Sequence, residues 1–464
     1  MILLAHSNFL ADDPKQQERM KPYAPLSTLL AAALLRSEGH EVALFDATFA
    51  AGVEEFEAML DALKPAIAVI MEDNFNFITK MCTSVRRETA LHMIRAARDR
   101  GCRVAANGPD VSDNPALYFS AGADAVVLGE GEVALNDLVA AWTTGGAIDA
   151  IEGLIVPDEG QLKRTGSRRA LQDLDQLPHP AWDLIDVDKY RTAWLGAHGE
   201  FSWNIATSRG CPYACNWCAK PTFGRRYTVR SPRDVALEMQ RLKRELGPDH
   251  LWFTDDILGL DIGWVSDFAD EVMRLGAAIP FTMQSRVNLM TDKAVESLAK
   301  AGAREVWLGV ESGSQKILDS MNKGTTVGAA RSATRVLKAH GIKACWFLQL
   351  GYPGESWSDL LATRDLVRDE QPDDIGVSVA YPLPGTEFHE RIRAQLGRQR
   401  NWKDTGDLAM LFQGTYDTAF YRRVRDALHR EAASGEPDHD AWFDIEQDAH
   451  LHRSPRPFRP AISA

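Results

Sequence analysis

The sequence predicts an α/β protein in three parts: a doubly wound parallel sheet, a partial (β/α)6 TIM-type barrel, and a small helical C-terminal region. Apolar runs alternate with helical patterns over residues 1–145, the alternation stops over 146–200, and it resumes over 201–395. Strands that alternate with helices are typical of parallel sheets covered by helices on both faces. The last part, 396–464, has aromatic and charged helical patterns followed by a tail containing Pro and Arg.

The first part contains five apolar runs with the length of buried strands. They are MILLAH, EVALFDA, AIAVIM, CRVAANG and ADAVVLGEGE. The helical stretches between them stop at Gly39, Pro65 and Gly101, and Gly and Pro are common where helices end. In doubly wound sheets, ligands bind at the carboxyl ends of the strands, so a ligand site is expected there.

The middle part, residues 146–200, is predicted to be a linker. Its stretch DLDQLPHPAWDLID is rich in Pro and Asp, which break regular structure. Six further strands follow it: WNIATS, HLWFTDD, PFTMQSR, EVWLGVES, ACWFLQLGYP and DIGVSVAYP. Six strand–helix units predict a barrel that lacks two of the usual eight units.

The helix predicted in SPRDVALEMQRLKRELG shows the local signals in one place. Ser231 can cap its amino end, Pro232 suits the first turn, and Asp234 lies three residues after the cap. Gly247 ends the pattern.

Composition limits the classes of function. A chain of 464 residues has room for two or three domains at roughly 100–200 residues each. The formal net charge of −13 argues against a nucleic-acid partner, because phosphate backbones attract basic surfaces. The start has no basic leader, and LSTLLAAALL is about half of the ~20 residues that a membrane span needs. Six cysteines do not suggest a secreted disulfide scaffold, so a cytoplasmic protein with reduced thiols is predicted, with peripheral membrane association left open.

Half of the cysteines lie in one short segment, CPYACNWC, directly after the first barrel strand. They are Cys211, Cys215 and Cys218. Loops that follow strands build the active sites of such barrels. Structural zinc sites use four ligands, usually in two paired hooks, and no second hook follows. Thiolates are the usual ligands of iron–sulfur clusters, and three of them leave one iron of a four-iron cluster open. The alternative, three core cysteines by chance, is disfavoured in a chain with three others.

This segment resembles the Cys-x3-Cys-x2-Cys signature of the radical S-adenosylmethionine enzymes. The resemblance implies a [4Fe-4S] cluster whose open iron binds the amino and carboxylate groups of S-adenosylmethionine. It also implies that an electron from the cluster yields methionine and a 5′-deoxyadenosyl radical, which takes a hydrogen atom from the substrate. An electron donor such as a flavodoxin or ferredoxin is then required. Trp217, before the third cysteine, is expected near the adenine.

Other barrel segments match the same superfamily. FTDD resembles its element near the amino group of S-adenosylmethionine, so Asp255 and Asp256 are candidates, although paired aspartates at a strand end also cap helices. GVESGS resembles its ribose and methionine contact, with Glu311 and Ser312 as candidates.

Three further strand ends supply candidates. Gln284 and Arg286 end the third barrel strand, and the arginine could pair a carboxylate bidentately or bridge a neighbouring acid. LGYPGES resembles the Gly-Pro turn beside the adenine, with Gly351 serving the backbone geometry. Tyr381 could donate a proton or hydrogen atom, or could be a packing aromatic residue.

The front part resembles the cobalamin-binding class of these enzymes, on PYAPLSTLLAAALLRSEGHEVALFDA, ADAVVLGEGE and DQLPHPAWDLID. YPLPGTEF resembles the branch that includes the anaerobic magnesium-protoporphyrin ester cyclase. The resemblance implies cobalamin, with Asn74, Asn76, Asn107 and Gly108 near the corrin. The alternative is a degenerate domain that only packs on the barrel.

One departure concerns the cobalt ligand. Many cobalamin domains carry Asp-x-His-x-x-Gly, and here only Asp448 and His450 have the Asp-x-His step, with Arg453 in place of the glycine. Cobalamin is therefore expected without a histidine on cobalt.

The prediction is methyl transfer to an unactivated carbon of a small or lipid-like substrate. Radical cyclisation or rearrangement is the alternative within the enzyme class. A non-catalytic iron–sulfur or cobalamin sensor is the alternative outside it.

Overall fold

A computed structural model describes residues 1–75, 84–218, 223–396 and 408–454, which form two sheets surrounded by helices. The first sheet contains β1 Ile2–Ala5, β2 Val42–Phe45, β3 Ile67–Met71, β4 Arg103–Asn107, β5 Ala125–Val127, β6 Leu154–Asp158 and β7 Gln161–Arg164. The second contains β8 Ser202–Ile205, β11 His250–Phe253, β12 Phe281–Ser285, β13 Ala303–Glu311, β14 Lys343–Leu350 and β15 Asp374–Val379. A short pair, β9 Ser208–Arg209 and β10 Thr228–Val229, lies between β8 and β11 in the chain.

The first sheet is doubly wound, as predicted. Its strand order is β2-β1-β3-β4-β5-β6-β7, and β1 to β5 run parallel. β1 lies between β2 and β3, so Ile2 pairs with both Val42 and Ile67. The winding reverses between β1 and β3, where ligands bind in folds of this kind.

The first sheet continues into the segment predicted to be a linker. Strands β6 and β7 form an antiparallel hairpin, and β6 pairs with β5. Its two central turn residues, Glu159 and Gly160, have φ of 47° and 81°. Positive φ at both positions is the geometry of the tight hairpin turn that fits the twist of its strands. The domain therefore extends past residue 145, because Leu154, Ile155 and Val156 are buried against the sheet.

Alternate residues of the first sheet face two different cores. Leu3 and Ala5 pack in one core with the helices of the outer face. Ile2 and Leu4 pack in another, which also contains Trp203 of the second sheet. Since side chains of a strand point alternately to its two faces, the second face joins the front domain to the barrel.

The second sheet is an open barrel of six parallel strands in the order β15-β14-β13-β12-β11-β8, which confirms the prediction. Residues such as Leu251, Phe253 and Val306 belong to the core shared with the surrounding helices. The alternate residues of each strand therefore face the inside of the barrel.

Helices surround both sheets and form the C-terminal region, as predicted. They are α1 Pro14–Arg19, α2 Leu26–Ser37, α3 Val53–Leu63, α4 Ser84–Asp99, α5 Pro109–Asp113, α6 Pro115–Ala121, α7 Glu132–Thr144, α8 Val187–His198, α9 Pro232–Glu245, α10 Ile262–Arg274, α11 Asp292–Ala301, α12 Gln315–Ser320, α13 Val327–Ala339, α14 Trp357–Glu370, α15 Glu387–Ile392, α16 Thr418–Ser434 and α17 His439–Asp448. In α9 the Ser231 hydroxyl accepts the Asp234 N–H at 3.1 Å, as predicted. Among the described helices, none has the length and apolar composition needed to cross a membrane.

Candidate active site at the barrel mouth

The cysteine segment leaves the carboxyl end of β8 through a narrow stem. In the stem, β9 pairs antiparallel with β10, and the Cys211 N–H donates to the Gly224 carbonyl at 3.4 Å. Gly210 has φ of 79°, and a Cβ atom there would lie 1.9 Å from the Arg226 carbonyl oxygen. The two strands of the stem therefore approach too closely for any side chain at this position.

Asp255 holds this stem from the neighbouring strand. Its carboxylate accepts the Thr207 N–H at 3.1 Å and the Thr207 hydroxyl at 2.7 Å, and it also accepts the Ser208 hydroxyl. Burial raises the pKa of Asp255 to about 6. These contacts favour a structural role for Asp255, although the role is to hold the stem and not to cap a helix.

Asp256 lies three residues after the end of β11, in a bend at the carboxyl end of the strand. Asp256 is half-buried there. Its contact with S-adenosylmethionine stays a prediction.

The three predicted ligands lie at the barrel mouth beside an arginine. Cys211 and Cys215 are buried and Cys218 is half-buried. The Arg286 guanidinium donates to the Cys215 sulfur, with Nη1 and Sγ 3.4 Å apart. It also stacks on the Tyr213 ring, 3.7 Å from the ring centroid. The structure thus brings Arg286 against the cysteine segment, and its pairing with a ligand carboxylate stays a prediction.

The three cysteine thiols can be compared with the metal groups that cysteines bind in proteins. Within the described ranges, no three or more His, Cys, Asp or Glu side chains are arranged to hold one metal ion. A zinc site requires its ligands to converge on a single ion. In a four-iron cluster each cysteine binds a different iron, so its thiolates need not converge on one point. Three thiolates in one short segment are the usual donors of an iron–sulfur cluster and fit a four-iron cluster with one open iron.

A buried ion pair lies next to this segment and includes a residue that the sequence did not indicate. The Lys323 ammonium is 2.7 Å from a Glu311 carboxylate oxygen, and both side chains are buried. The same ammonium is 5.9 Å from the centroid of the Trp217 ring. Lys323 lies in a loop, where no periodic pattern assigns a direction to its side chain. Glu311 itself has φ of 66°, an uncommon value for a residue other than glycine.

Trp217 is half-buried and packs beside a satellite core that contains Ile317 and Phe388. Its indole Nε1 is buried and has no hydrogen-bond partner among the described residues. The preceding residue, Asn216, anchors the segment, because its N–H donates to the Met321 carbonyl at 3.0 Å. The tryptophan therefore has a fixed backbone and an indole N–H that a bound molecule could use.

Two other candidates make contacts within the protein. The Ser312 hydroxyl accepts the Ser314 N–H at 3.1 Å and lies 3.3 Å from the Thr363 hydroxyl. The Gln284 amide donates to the Asp255 carbonyl at 2.7 Å. Ser312 is buried, whereas Gln284 is half-buried at the mouth.

The turn after β14 has the backbone geometry that the sequence predicts. Gly351 has φ of 76°, and a Cβ atom there would lie 3.0 Å from the Met410 sulfur. Its N–H donates to the Glu355 carboxyl at 2.6 Å. Burial raises the pKa of Glu355 to about 8. Tyr381 follows β15 and is half-buried, and its role stays a prediction.

The candidates of the front sheet meet at its carboxyl edge. The Asn74 amide donates to the Asn107 side-chain oxygen at 3.0 Å, and the Asn107 amide donates to the Val127 carbonyl at 2.9 Å. Gly108 has φ of 146°, and a Cβ atom there would lie 2.8 Å from the Glu72 Cβ. Asn76 lies outside the described residues.

The two sites meet at Arg209, two residues before the first cysteine. Its guanidinium pairs with Glu130 at 3.0 Å and with Glu132 at 2.9 Å, from the loop after β5 and the start of α7. The carboxyl edge of the front sheet therefore contacts the stem of the cysteine segment directly.

Comparisons with known proteins agree with this geometry. The model of the radical SAM superfamily matches residues 205–367. An uncharacterized methyltransferase of Pyrococcus horikoshii is 29% identical over 385 residues, which are 82% of this chain and 81% of that relative. The anaerobic magnesium-protoporphyrin IX monomethyl ester cyclase of Cereibacter sphaeroides is 29% identical over 280 residues, 59% of this chain and 45% of the cyclase. The chain thus spans less than half of the cyclase's length.

A solved structure is similar over most of this chain. It is the radical S-adenosylmethionine methyltransferase TsrM from Kitasatospora setae with cobalamin and a [4Fe-4S] cluster bound. The TM-score is 0.71 at 22% identity, over 86% of this chain and 79% of that one, which shows a shared fold. Residues 205–367, which include three cysteines and most of the six-stranded barrel, thus match the radical SAM superfamily.

Proposed function

We propose that this protein is a cobalamin-dependent radical S-adenosylmethionine methyltransferase that acts on an unactivated carbon. The observation that carries the proposal is the direct contact between the two predicted ligand sites through Arg209. When bound, the cluster supplies an electron that cleaves S-adenosylmethionine, and cobalamin supplies the methyl group. The names of the Pyrococcus and Kitasatospora proteins support methyl transfer.

The residues of the mouth have distinct roles in this proposal. Cys211, Cys215 and Cys218 hold the cluster. Arg286 and Lys323 place two cations beside the cysteine segment, where they would attract the carboxylate of S-adenosylmethionine.

Two acidic residues and the indole complete the proposed contacts. Asp256, which is half-buried in the bend after β11, would accept a hydrogen bond from the amino group of S-adenosylmethionine. Glu311 would contact its ribose or methionine part while it keeps its ion pair with Lys323. The buried Nε1 of Trp217 would donate to the adenine or another acceptor.

The front edge would bind cobalamin without a histidine on cobalt. His6, which follows β1, is buried, and its Nε2 lies 3.1 Å from Asp46 and 3.2 Å from the Ala47 nitrogen. The His6 side chain thus makes its hydrogen bonds within the front domain.

Electron spin resonance tests this assignment. The spectrum of bound cob(II)alamin should lack splitting from a protein histidine nitrogen, and splitting that disappears in His6→Ala would contradict the assignment.

Three further parts of the proposal concern the surroundings of the protein. The substrate is a small or lipid-like molecule. The electron donor is a flavodoxin or ferredoxin, since the cluster must be reduced in each turnover. The compartment is the cytoplasm, where thiols stay reduced.

Product stoichiometry tests the reaction. Methyl transfer of this kind consumes two S-adenosylmethionine molecules and releases one 5′-deoxyadenosine and one S-adenosylhomocysteine. The experiment gives methyl-labelled S-adenosylmethionine and candidate substrates to the reduced enzyme. The expected result is label in the product and a nucleoside ratio near one. Substrate turnover with 5′-deoxyadenosine alone would favour a cyclase-type reaction, and absence of 5′-deoxyadenosine would favour a sensor.

Variants of the acidic residues test the S-adenosylmethionine contacts. Asp256→Ala and Glu311→Ala are each expected to lower both nucleosides together, by roughly tenfold or more, because each residue is proposed to hold S-adenosylmethionine and not the substrate. Asp270→Ala is the control, since Asp270 is exposed and pairs with Lys300. A loss of only one nucleoside would contradict the assigned contacts.

A further inference from the structure

Arg209 is a buried cation that belongs to neither predicted ligand set. It lies between the last residues of β8 and Cys211, and its side chain is 5% exposed. Its guanidinium donates to Glu132 through both terminal nitrogens, at 3.1 and 2.9 Å, and to Glu130 at 3.0 Å. The Glu132 side chain is 1% exposed. The two charges of this pair depend on each other, because the loss of one partner would leave the other as an uncompensated buried charge.

Two aromatic rings fix the position of this guanidinium. The Phe75 and Phe223 rings lie 5.7 and 5.6 Å from it, and the two ring centroids are 5.0 Å apart. Phe75 follows Asn74 at the front edge, whereas Phe223 lies between the cysteine segment and β10. Arg209 therefore contacts both sides through ring faces as well as through charge.

The acidic partners of Arg209 are attached to the front ligand edge. The Asn107 amide donates to the Val127 and Gly129 carbonyls, at 2.9 and 3.3 Å. Gly131 packs against the same amide, because a Cβ atom there would lie 2.7 Å from the Asn107 Nδ2. The loop that carries Glu130 and leads to Glu132 is therefore positioned by Asn107.

On the other side, Arg209 is part of the stem of the cysteine segment. It pairs with Thr228 in the two-residue ladder, and Gly210 permits the close approach of the two stem strands. A change in the cysteine segment thus reaches the guanidinium through backbone hydrogen bonds.

We infer that Arg209 is a positioning residue that couples the order of the cysteine segment to the order of the loop 127–132 at the front ligand edge. Cluster assembly fixes the stem, the stem fixes the guanidinium, and the guanidinium fixes Glu130 and Glu132. Linkage requires the reverse effect to be equal, so a ligand at the front edge also favours the ordered stem. The inference rests on the proposed function only for the identity of that ligand as cobalamin.

Hydrogen exchange tests the coupling without any cobalamin. Amide exchange is measured by mass spectrometry on the full chain, with the cluster removed and after anaerobic reconstitution. In the native protein, cluster assembly is expected to slow exchange in peptides covering residues 125–135 by about tenfold, a modest coupling. In Arg209→Met this slowing is expected to disappear, although the variant still binds iron. Equal slowing in the variant and the native protein, or none in the native protein, would overturn the inference.

Two further variants separate coupling from stability. Arg209→Met leaves the buried Glu132 and the half-buried Glu130 without their cation, whereas the double variant Arg209→Met/Glu132→Met removes the buried carboxylate together with the cation. The double variant is expected to recover melting temperature and to remain uncoupled. Recovery of the coupling in the double variant would show that Arg209 acts only through stability. If Arg209→Met does not fold, Arg209→Lys replaces it, because lysine keeps the charge but loses the two-nitrogen contact with Glu132.

A matched control is available in the barrel. Arg368 donates to Glu431 at 2.9 and 2.5 Å, and the Glu431 side chain is 2% exposed. Arg368→Met removes the cation from a buried glutamate between α14 and α16, although Arg368 itself is 20% exposed. It is expected to lower the melting temperature and to leave the effect of the cluster on peptides 125–135 unchanged.

Cobalamin affinity gives a second measurement. The dissociation constant of hydroxocobalamin is expected to be about tenfold lower with the cluster than without it, and equal in the two states for Arg209→Met, as reciprocal linkage requires. Tight binding that does not depend on the cluster would overturn the coupling alone. Absence of any cobalamin uptake, with exchange still coupled, would overturn the proposed cofactor and leave the coupling established.

Discussion

The front ligand edge and the barrel mouth use their polar residues in opposite ways. At the front edge, Asn74 and Asn107 are 0% and 1% exposed and bond to each other and to strand ends. At the mouth, Asp256, Trp217 and Cys218 are half-buried. The two asparagines of the front edge are therefore enclosed by the protein, whereas the mouth leaves part of Asp256, Trp217 and Cys218 accessible beside its buried residues.

The acidic residues show the same contrast. At the front edge, Glu72 and Asp73 accept backbone N–H groups from Ser7 and Ser27, and burial raises the pKa of both carboxyls. At the mouth, the Glu311 carboxylate is paired with a lysine, whose ammonium sits at the end of a long side chain. The Glu72 and Asp73 carboxyls at the front edge thus support loops through backbone hydrogen bonds, whereas the Glu311 carboxylate at the mouth is paired with a cation.

The largest expected effect tests how the mouth depends on its stem. Gly210→Ala is expected to abolish most iron incorporation although every cysteine is retained, because the new Cβ atom would collide with the Arg226 carbonyl. Gly224→Ala is the matched control. Gly224 has a similar φ of 74°, but no atom lies within 4 Å of its Cβ position. It should lose about 1–2 kcal/mol of stability from backbone strain alone and still bind iron.

Iron and sulfide analysis after anaerobic reconstitution measures this effect. The triple variant Cys211→Ala/Cys215→Ala/Cys218→Ala sets the lower limit of iron content. Cys102→Ala, at a buried site directly before β4, sets the upper limit. A full cluster in Gly210→Ala would mean that the stem is not needed for assembly. A full cluster in the triple variant would remove the basis of the site.

An intermediate effect concerns a buried carboxyl below the mouth. Glu355 is fully buried with its pKa raised to about 8, so the folded protein holds its proton over a range where the unfolded chain releases it. The resulting stability is complete below the unfolded pKa, near 4.5, and is lost as the pH rises towards 8. The free energy of unfolding of Glu355→Gln should therefore rise relative to that of the native protein by about 1.4 kcal/mol per pH unit between those two pKa values.

Urea unfolding at a series of pH values between the unfolded and folded pKa of Glu355 measures that difference. Glu387→Gln is the control, because Glu387 is 62% exposed and lies on a surface helix. A constant difference between Glu355→Gln and the native protein across this range would show that the carboxyl ionises normally.

The smallest expected effect tests whether a buried asparagine of the front edge affects ligand binding at that edge alone. Asn107→Ala removes the donor to Val127 and is expected to cost about 1–3 kcal/mol, because a buried carbonyl loses its partner. Cobalamin affinity should fall, whereas iron content should not change. Gln284→Ala at the mouth should show the opposite pattern, with weaker S-adenosylmethionine binding and unchanged cobalamin binding. Equal losses of both ligands in Asn107→Ala would break the distinction between the two regions.

Local sequence signals predicted the elements well because those elements are set by local rules. The alternation of apolar residues placed all six barrel strands, and the Ser231 cap of α9 is observed with its expected donor. The hairpin of β6 and β7 was missed because its turn is Glu159-Gly160, without the Asn or Asp that usually marks such turns.

Sequence signals could indicate candidate site residues only where those residues share a short segment or end a strand. Cys211, Cys215 and Cys218 share one short segment, so their spacing made them the candidate cluster ligands. Lys323 and the Arg209 partners are long-range contacts, with Glu132 lying 77 residues from Arg209. No periodicity connects residues so far apart, and only the packing of the two sheets brings them together.

The hairpin of β6 and β7 also decides how the front sheet meets other molecules. Without it, β5 would be an open edge, with Val126 and Val127 ready to pair with a foreign strand. With it, the outermost strand is β7, whose four residues are exposed and include Lys163 and Arg164. Charged edge strands resist pairing with further chains. The hairpin thus protects the edge of β5 from pairing with other chains. A fragment that ended at residue 145 would be expected to self-associate through β5.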